Sequence, residues 1–454
     1  MKKIYSGLCA AILFALIVIG LISTFDKDAT YSESERRQLK TRPKLTVSAL
    51  LDGSYFDDYR AYFADTFPNR ENLMNSNTQL NAFYYFGGLG SSSDSTLLID
   101  FNSNAAQHGE ALKNTDETGE SQSEETDGSE DPSDDTTPST LPQQTPVEGT
   151  AEQLGSVLLI GDTAFDVPHM DKAAIKRYAA AVNSIADTLG SGVKTFSMPV
   201  PNSAEFYTSS EYHTGQTSQW DMIQLCKENL NSNVTFVDAY SVLAQHTNEY
   251  IYFRTDHHWT HQGAYYAYTA LCKSAGFTPV SQSEFATGQW DNFVGSLYTY
   301  TSSYAQSRVL KENPDTVYYW KPIADCHTTI YSSTSLSDPY TGYGTINRIK
   351  EDEPNKYLTF MGGDHPVTIV ETDTNGPCIL VFKESYGNAL ISWLTSHYSK
   401  IILIDPREYF NKNSSIDLAA FAQSQGVNQC LVVNYPMMLN STGYISLLEK
   451  LTQK

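Results

Sequence analysis

Cys378-Ile-Leu-Val-Phe-Lys-Glu-Ser-Tyr-Gly-Asn388 is where the fold is most legible. A short unbroken apolar run bounded by turn residues predicts a strand buried on both faces. A helix is predicted to follow, from about Gly387 to His397. Ser385 then stands at a strand's carboxyl end and a helix's amino end. Backbone N–H groups at such a place can hold an oxyanion. Gly387 permits a close approach, and Asn388 adds a polar group. The competing assignment of Ser385 is a plain helix cap, for which serine is a favoured residue.

The same alternation recurs outward from this run. Val157–Ile160, Lys194–Met198, Val234–Val237, Ile401–Ile404 and Cys430–Val433 read as further short strands. Helices are predicted at about Lys172–Leu189, Trp220–Leu230, Gln262–Ser274 and Ile416–Gln425. Apolar strands alternating with helices predict an α/β domain, residues 154–454, with a parallel sheet covered on both faces. Sites in such sheets lie at the carboxyl ends of the strands. Residues 281–357, rich in Tyr, Thr and Ser, read as a β-rich insertion of antiparallel hairpins and loops forming one wall of the cleft.

Upstream the composition changes. Lys2 and Lys3 precede an apolar run from Gly7 to Ile22, the pattern of an export signal. Residues 1–25 are read as an uncleaved signal anchor, with a cleaved signal peptide as the alternative. The positive-inside rule puts everything after residue 25 outside the cell. Residues 26–90 read as an amphipathic helical segment, broken at Pro68. Residues 91–153 lose periodicity and read as a disordered acidic linker, with Leu97-Leu98-Ile99 as a docked strand at its start. Thirteen acidic residues and one lysine fall between Gly109 and Glu152, about half of the net charge of −22. So acidic a chain lacks the basic face that phosphate binding needs, which argues against a nucleic-acid partner. The six cysteines show no metal-ligand spacing and read as buried thiols, with one disulfide as the alternative.

Three further turns carry chemistry-bearing residues. Thr255-Asp256-His257-His258-Trp259-Thr260 follows an extended run, Tyr250–Arg254, and precedes a helix. An aspartate two residues from a histidine can fix its tautomer and stabilise its charged form. Adjacent histidines make a poor chelate, so no metal is expected. A capped helix start with solvated histidines is the alternative. Ile160-Gly161-Asp162-Thr163 resembles a nucleophile turn but is better read as a polar turn. Met361-Gly362-Gly363-Asp364 is a Gly-rich turn whose N–H groups could line a site.

Taken together, the turn at 255–260, Asn355–Gly363, Phe382–Asn388 and Ile404-Asp-Pro-Arg-Glu-Tyr409 resemble the bacterial DHHW family. Glu33–Pro43 and Asp65–Arg70 look like this group too. The family is similar to the SGNH-hydrolase-like alginate O-acetyltransferases. The resemblance implies an SGNH-hydrolase-like, flavodoxin-like three-layer sandwich. It also implies Ser385 as nucleophile, His258 as general base and Asp256 as its orienting carboxylate. Glu384 stands where those enzymes usually have Asp. Tyr386, Asn388, Gly362 and Gly363 are the expected oxyanion or substrate contacts. Trp259 is a candidate sugar-stacking ring, with core packing as the alternative. Arg407 matches a family arginine, either structural or facing the acyl donor. The expected activity is acyl transfer on a cell-surface glycan, without a cofactor. The expected partners are a polysaccharide acceptor and a membrane-bound acyltransferase that supplies acetyl groups. A glycan esterase and a non-catalytic scaffold are the alternatives.

Overall fold

The computed structural model describes residues 31–32, 37–38, 40–46, 54–66, 145–411 and 414–453, in two units divided between Ser92 and Ser93. In the first unit β1 (Tyr31–Ser32) pairs antiparallel with β2 (Arg37–Gln38). Helix α1 (Ser54–Asp65) covers part of the stretch predicted helical. Tyr55, Tyr59 and Tyr62 follow one another along it with ring centroids 5.9 and 5.7 Å apart, the spacing of one helix face. The Asp65 carboxylate accepts the Lys40 N–H at 2.8 Å. The proposed anchor (1–25), Pro68 and Leu97-Leu98-Ile99 lie outside the described residues. No described helix is long and apolar enough to cross a membrane.

The second unit opens with an antiparallel meander of β3 (Ala151–Leu154), β4 (Val157–Ile160) and β5 (Thr163–Asp166). Two corrections follow. Ala151–Leu154 is a strand that begins in the stretch assigned to the linker and ends at the first residue assigned to the domain. Val157–Ile160 is buried as expected but belongs to this meander, not to a parallel sheet. Two-residue turns at Gly155-Ser156 and Gly161-Asp162, each with its glycine at positive φ (65° and 58°), fold the chain straight back.

Helix α2 (Lys172–Leu189), β6 (Lys194–Pro199), α3 (Gln219–Glu228), β7 (Val234–Phe236) and α4 (His261–Ala275) come next. They are followed by β8 (Thr287–Phe293), β9 (Asp315–Trp320), β10 (Cys326–Tyr331), β11 (Tyr340–Thr341), β12 (Val367–Thr372) and β13 (Cys378–Lys383). The unit closes with β14 (Lys400–Ile404), α5 (Leu418–Gln425), β15 (Val427–Asn434) and α6 (Thr442–Lys450). Eight strands form one sheet in the order β11-β10-β12-β14-β13-β15-β6-β7. The sheet is mixed. β14, β13, β15, β6 and β7 run parallel, whereas β12, β10 and β11 add an antiparallel edge. The expected wholly parallel sheet is therefore corrected. Likewise β10 and β11, assigned to a separate insertion, extend this edge, and only β8 and β9 pair as an independent hairpin. β12 runs against β14, β10 against β12 and β11 against β10, so direction alternates along this edge, and such antiparallel pairs need no crossover helix between them.

β13 lies between two parallel neighbours, and all six of its residues are buried. Each fully buried Ile, Leu, Val or Phe there contributes about 1.5–3 kcal/mol of hydrophobic stabilisation. That burial fixes the strand's end, and with it the turn that follows. Among the described cysteines all five are free thiols, four of them buried.

Candidate active site

The chain between Tyr250 and Thr260 folds into a tight loop ahead of α4. The Thr260 N–H donates to Ile251 O at 3.0 Å, and Phe253 N–H to His258 O at 3.3 Å. Thr260, not Thr255 or Asp256, caps the helix, its hydroxyl accepting the Gly263 N–H at 3.2 Å. Asp315, at the start of β9 and 2% exposed, clamps the base of the loop. Its carboxylate accepts the Thr255 N–H (2.8 Å), the Thr255 hydroxyl (2.6 Å) and the Tyr250 hydroxyl (2.5 Å). A buried carboxylate with this many donors holds the loop open for its tip to project.

At that tip Asp256 Oδ1 accepts both the His258 N–H (2.9 Å) and His258 Nδ1–H (2.6 Å). The first bond is a local side-chain-to-backbone turn that aspartate favours, and it aims the second. With Nδ1 donating to Asp256, the lone pair on Nε2 faces Ser385 Oγ at 2.8 Å. Ser385 follows β13 as expected, half-buried at the head of a 3-10 segment of about two turns, Ser385–Leu390, ahead of a short helix, Ile391–Leu394. The structure therefore brings Ser385, His258 and Asp256 into one hydrogen-bonded chain across 127 residues of sequence. Two further bonds staple the turns together. Trp259 Nε1–H donates to Tyr386 O (2.9 Å), and the Tyr386 hydroxyl donates to His257 O (2.6 Å).

The electrostatics suit this arrangement. Burial would raise the Asp256 carboxyl, but the charge and hydrogen bond of His258, with His257 and the Ser296 N–H, hold it well below the ordinary carboxylate range. Burial, with the neighbouring His258, pushes His257 down to about 3, so it stays neutral. Asp256, His257 and His258 offer donor atoms within 4.8 Å of one another. His258 is held by Asp256 at Nδ1 and Ser385 at Nε2, and His257 Nδ1 meets Ser296 Oγ at 2.6 Å.

Several contacting residues carried no signal in the sequence. The Ser296 N–H donates to Asp256 Oδ2 at 2.7 Å, fixing the carboxylate's second oxygen. The preceding Gly295 makes this possible. A Cβ there would lie 2.1 Å from the Asp256 Cβ. Tyr357 lies flat against the imidazole of His258, with centroids 3.9 Å apart and planes 13° apart, and its hydroxyl donates to Ser385 O at 3.0 Å. Tyr357 stands inside the Asn355–Gly363 stretch singled out by resemblance. Gly295 and Ser296 fall in the stretch read as an insertion.

Other expected contacts are corrected. Trp259 is fully buried, so it is a core ring and not a sugar platform. The Tyr386 N–H is committed to Glu384 Oε2 at 2.9 Å, and the Gly363 N–H to Phe360 O at 3.3 Å. Gly362 packs its backbone against the Tyr343 ring. Asn388 spends its amide on Lys383 Nζ (2.6 Å) and Asp364 (2.9 Å). Arg407 is buried between Asp405 (2.6 Å) and Asp364 (2.7 Å), the setting that its structural alternative expects. Thr163 is buried in the β4–β5 turn and bonds Asp162, as its polar-turn assignment predicts.

The family model for DHHW protein matches residues 118–404, more than half of the chain. The chain belongs to the DHHW family. The crystal structure of a DHHW family protein from Eubacterium siraeum is similar to it at 28% identity and a TM-score of 0.59, covering 68% of this chain and 100% of the other. The structure of Bacillus cereus PatB1 with a sulfonyl adduct is similar at 18% identity and a TM-score of 0.53, covering 64% and 97%. The O-acetyltransferase domain of Pseudomonas putida AlgJ matches at 16% identity and a TM-score of 0.38, covering 68% and 99%. No curated protein matches the sequence. The likeness to PatB1 is one of fold, and the shared α/β architecture with a large mixed sheet is what it carries for this DHHW protein.

Proposed function

We propose that this DHHW protein is an acyl-transfer enzyme of the cell envelope, an O-acetyltransferase acting on a cell-surface or exported polysaccharide. The observation that carries this reading is the chain Asp256 Oδ1–His258 Nδ1 (2.6 Å) and His258 Nε2–Ser385 Oγ (2.8 Å). In this reading His258 Nε2 takes the hydroxyl proton as Ser385 Oγ attacks the acyl carbonyl. The new imidazolium is stabilised by Asp256, which stays ionised. Collapse of the tetrahedral intermediate breaks the bond to the donor, whose leaving oxygen takes the proton from His258. An acceptor hydroxyl, deprotonated by the same nitrogen, then attacks the acyl-enzyme, and His258 returns that proton to Ser385 Oγ as its bond to the acyl group breaks. Outside the cell no acetyl-coenzyme A is at hand, so the donor is an acyl group delivered by a membrane-bound acyltransferase. Residues 1–25 would keep the enzyme beside it.

The test is a sulfonyl fluoride probe followed by peptide mapping, with turnover of an acetyl ester measured with and without acceptor oligosaccharide. The expected result is modification of Ser385 and acetyl transfer to the oligosaccharide. Acetate release that ignores the acceptor favours an esterase. Neither labelling nor turnover favours a scaffold.

A second expectation concerns Gly295. Gly295→Ala must push the 295–296 turn off Asp256, costing the carboxylate its Ser296 N–H bond. Displacements of this size lower rates by about 100-fold. Unchanged ester turnover in the folded variant, checked by circular dichroism, would show that Asp256 needs no such support.

A further inference from the structure

Glu384 is 1% exposed, ends the strand run, and is given no role by the proposed mechanism, on which this inference rests. Its carboxylate makes three contacts. Oε2 accepts the Tyr386 N–H at 2.9 Å and stands 3.4 Å from Ser385 Oγ. Oε1 accepts the Tyr435 N–H at 3.3 Å, one residue beyond β15. The side chain thus ties the nucleophile's turn, at the end of β13, to the end of the neighbouring parallel strand. An aspartate, one methylene shorter, serves the first bond by the same local turn but falls short of the second. The extra methylene of this chain's departure from the family pattern is what lets one carboxylate reach both.

Its charge also has a place. Asp256 sits at Nδ1 of His258, while Glu384 Oε2 stands 3.4 Å from Ser385 Oγ, the group at Nε2. We propose that Glu384 is a positioning residue that locks the Ser385 turn to the end of β15 and sets a second carboxylate across the imidazole from Asp256. The imidazolium formed during acyl transfer is then flanked by two carboxylates. The titratable groups whose charge bears on Glu384 are Arg407, Asp364, His258, Tyr178, Tyr357, Tyr386, Tyr435 and Tyr444. Those facing His258 are Asp256, His257, Tyr357 and Tyr386. Burial pushes the Glu384 carboxyl up and the Arg407 guanidinium draws it back, while burial drives all five tyrosines well above their usual range and keeps them neutral.

The test compares Glu384→Gln and Glu384→Asp in the full chain, measuring kcat and KM for an acetyl ester from pH 5 to 9. E384D leaves the Tyr435 N–H without its acceptor, and E384Q leaves both N–H groups without a charged one, so kcat is expected to fall about tenfold or more with KM unchanged. Only E384Q removes a negative charge beside the imidazolium. Its acid limb is expected to move to lower pH, whereas that of E384D stays in place. Unchanged kcat and an unmoved limb in both variants, with Ser385→Ala inactive in the same assay, would overturn the proposal. If E384Q does not fold, an E384D variant that keeps wild-type kcat overturns it equally. Activity surviving in S385A would instead remove the acyl-transfer reading beneath it.

Discussion

Ser385→Ala is expected to abolish probe labelling and lower ester turnover by about four to six orders of magnitude. The Ser385 hydroxyl is the one oxygen placed 2.8 Å from His258 Nε2, and alanine leaves the imidazole nothing to deprotonate. Stability should move by less than about 1 kcal/mol, because a half-buried hydroxyl is lost and no cavity forms. His258→Ala should cost a similar factor. The double variant should be no slower than either single one, since nucleophile and base act as a unit. Additive losses in the double variant, or S385A retaining a tenth of the rate, would mean that the three residues do not cooperate. The pH dependence has a stated sign. Asp256 is held below its ordinary range in the folded protein. Its contribution to stability is present above about pH 4 and is lost as the pH falls through the folded value.

The second large effect is expected at Arg407, and it is one of stability. Arg407 and Lys383 are 5% and 2% exposed and share the carboxylates of Asp364 and Asp405. Arg407→Met keeps much of the volume but leaves two buried carboxylates with one cation. Breaking a buried pair in this way costs about 3–5 kcal/mol. Burial would raise the Asp364 carboxyl, but Lys383 and Arg407 more than offset this and hold it well below the usual range. That stabilisation is complete above about pH 4 and disappears below it. R407M should therefore be much weaker than wild type in urea at pH 7, with the gap closing in acid. A variant that unfolds at the wild-type midpoint yet shows a selective rise in KM would return Arg407 to the donor-facing role that the family resemblance allows.

Glu408, beside this cluster, is pushed up to about 7 by burial and by Asp405 and Asp364. The cluster thus sets two cations against the carboxylates of Asp364 and Asp405, and burial penalises the charge of a third carboxyl, Glu408. Such bookkeeping of buried charge explains why Lys383, in the middle of an apolar strand ending, is tolerated at all.

The histidines show where reading the chain stops. Three stand within five residues, and nothing in their spacing separates them. His261 also meets a serine, with Nε2 2.7 Å from Ser392 Oγ, and its Nδ1 accepts the Trp320 N–H at 3.0 Å. That pair is sealed in the core, and burial drives His261 well below its usual range. His257 points its Nδ1 at Ser296 instead. Only His258 has a carboxylate on one nitrogen and a half-exposed serine on the other. Burial and direction distinguish these side chains, and both are properties of the packed molecule.

Runs of apolar residues announced β6, β13, β14 and β15 to within a few residues, because a strand covered on both faces has no other composition available to it. Asp two before His and Ser after an apolar strand were equally plain, since those preferences operate over a few bonds. Which strand pairs with which, and in what direction, was decided by contacts between distant segments: Val157–Ile160 has a central strand's composition yet sits in a hairpin meander. The same holds for Gly295, Tyr357, Glu384 and Asp315. Each acts through space on a turn far away in sequence, and a hydrogen bond across the fold leaves no periodicity in the chain for anyone to read.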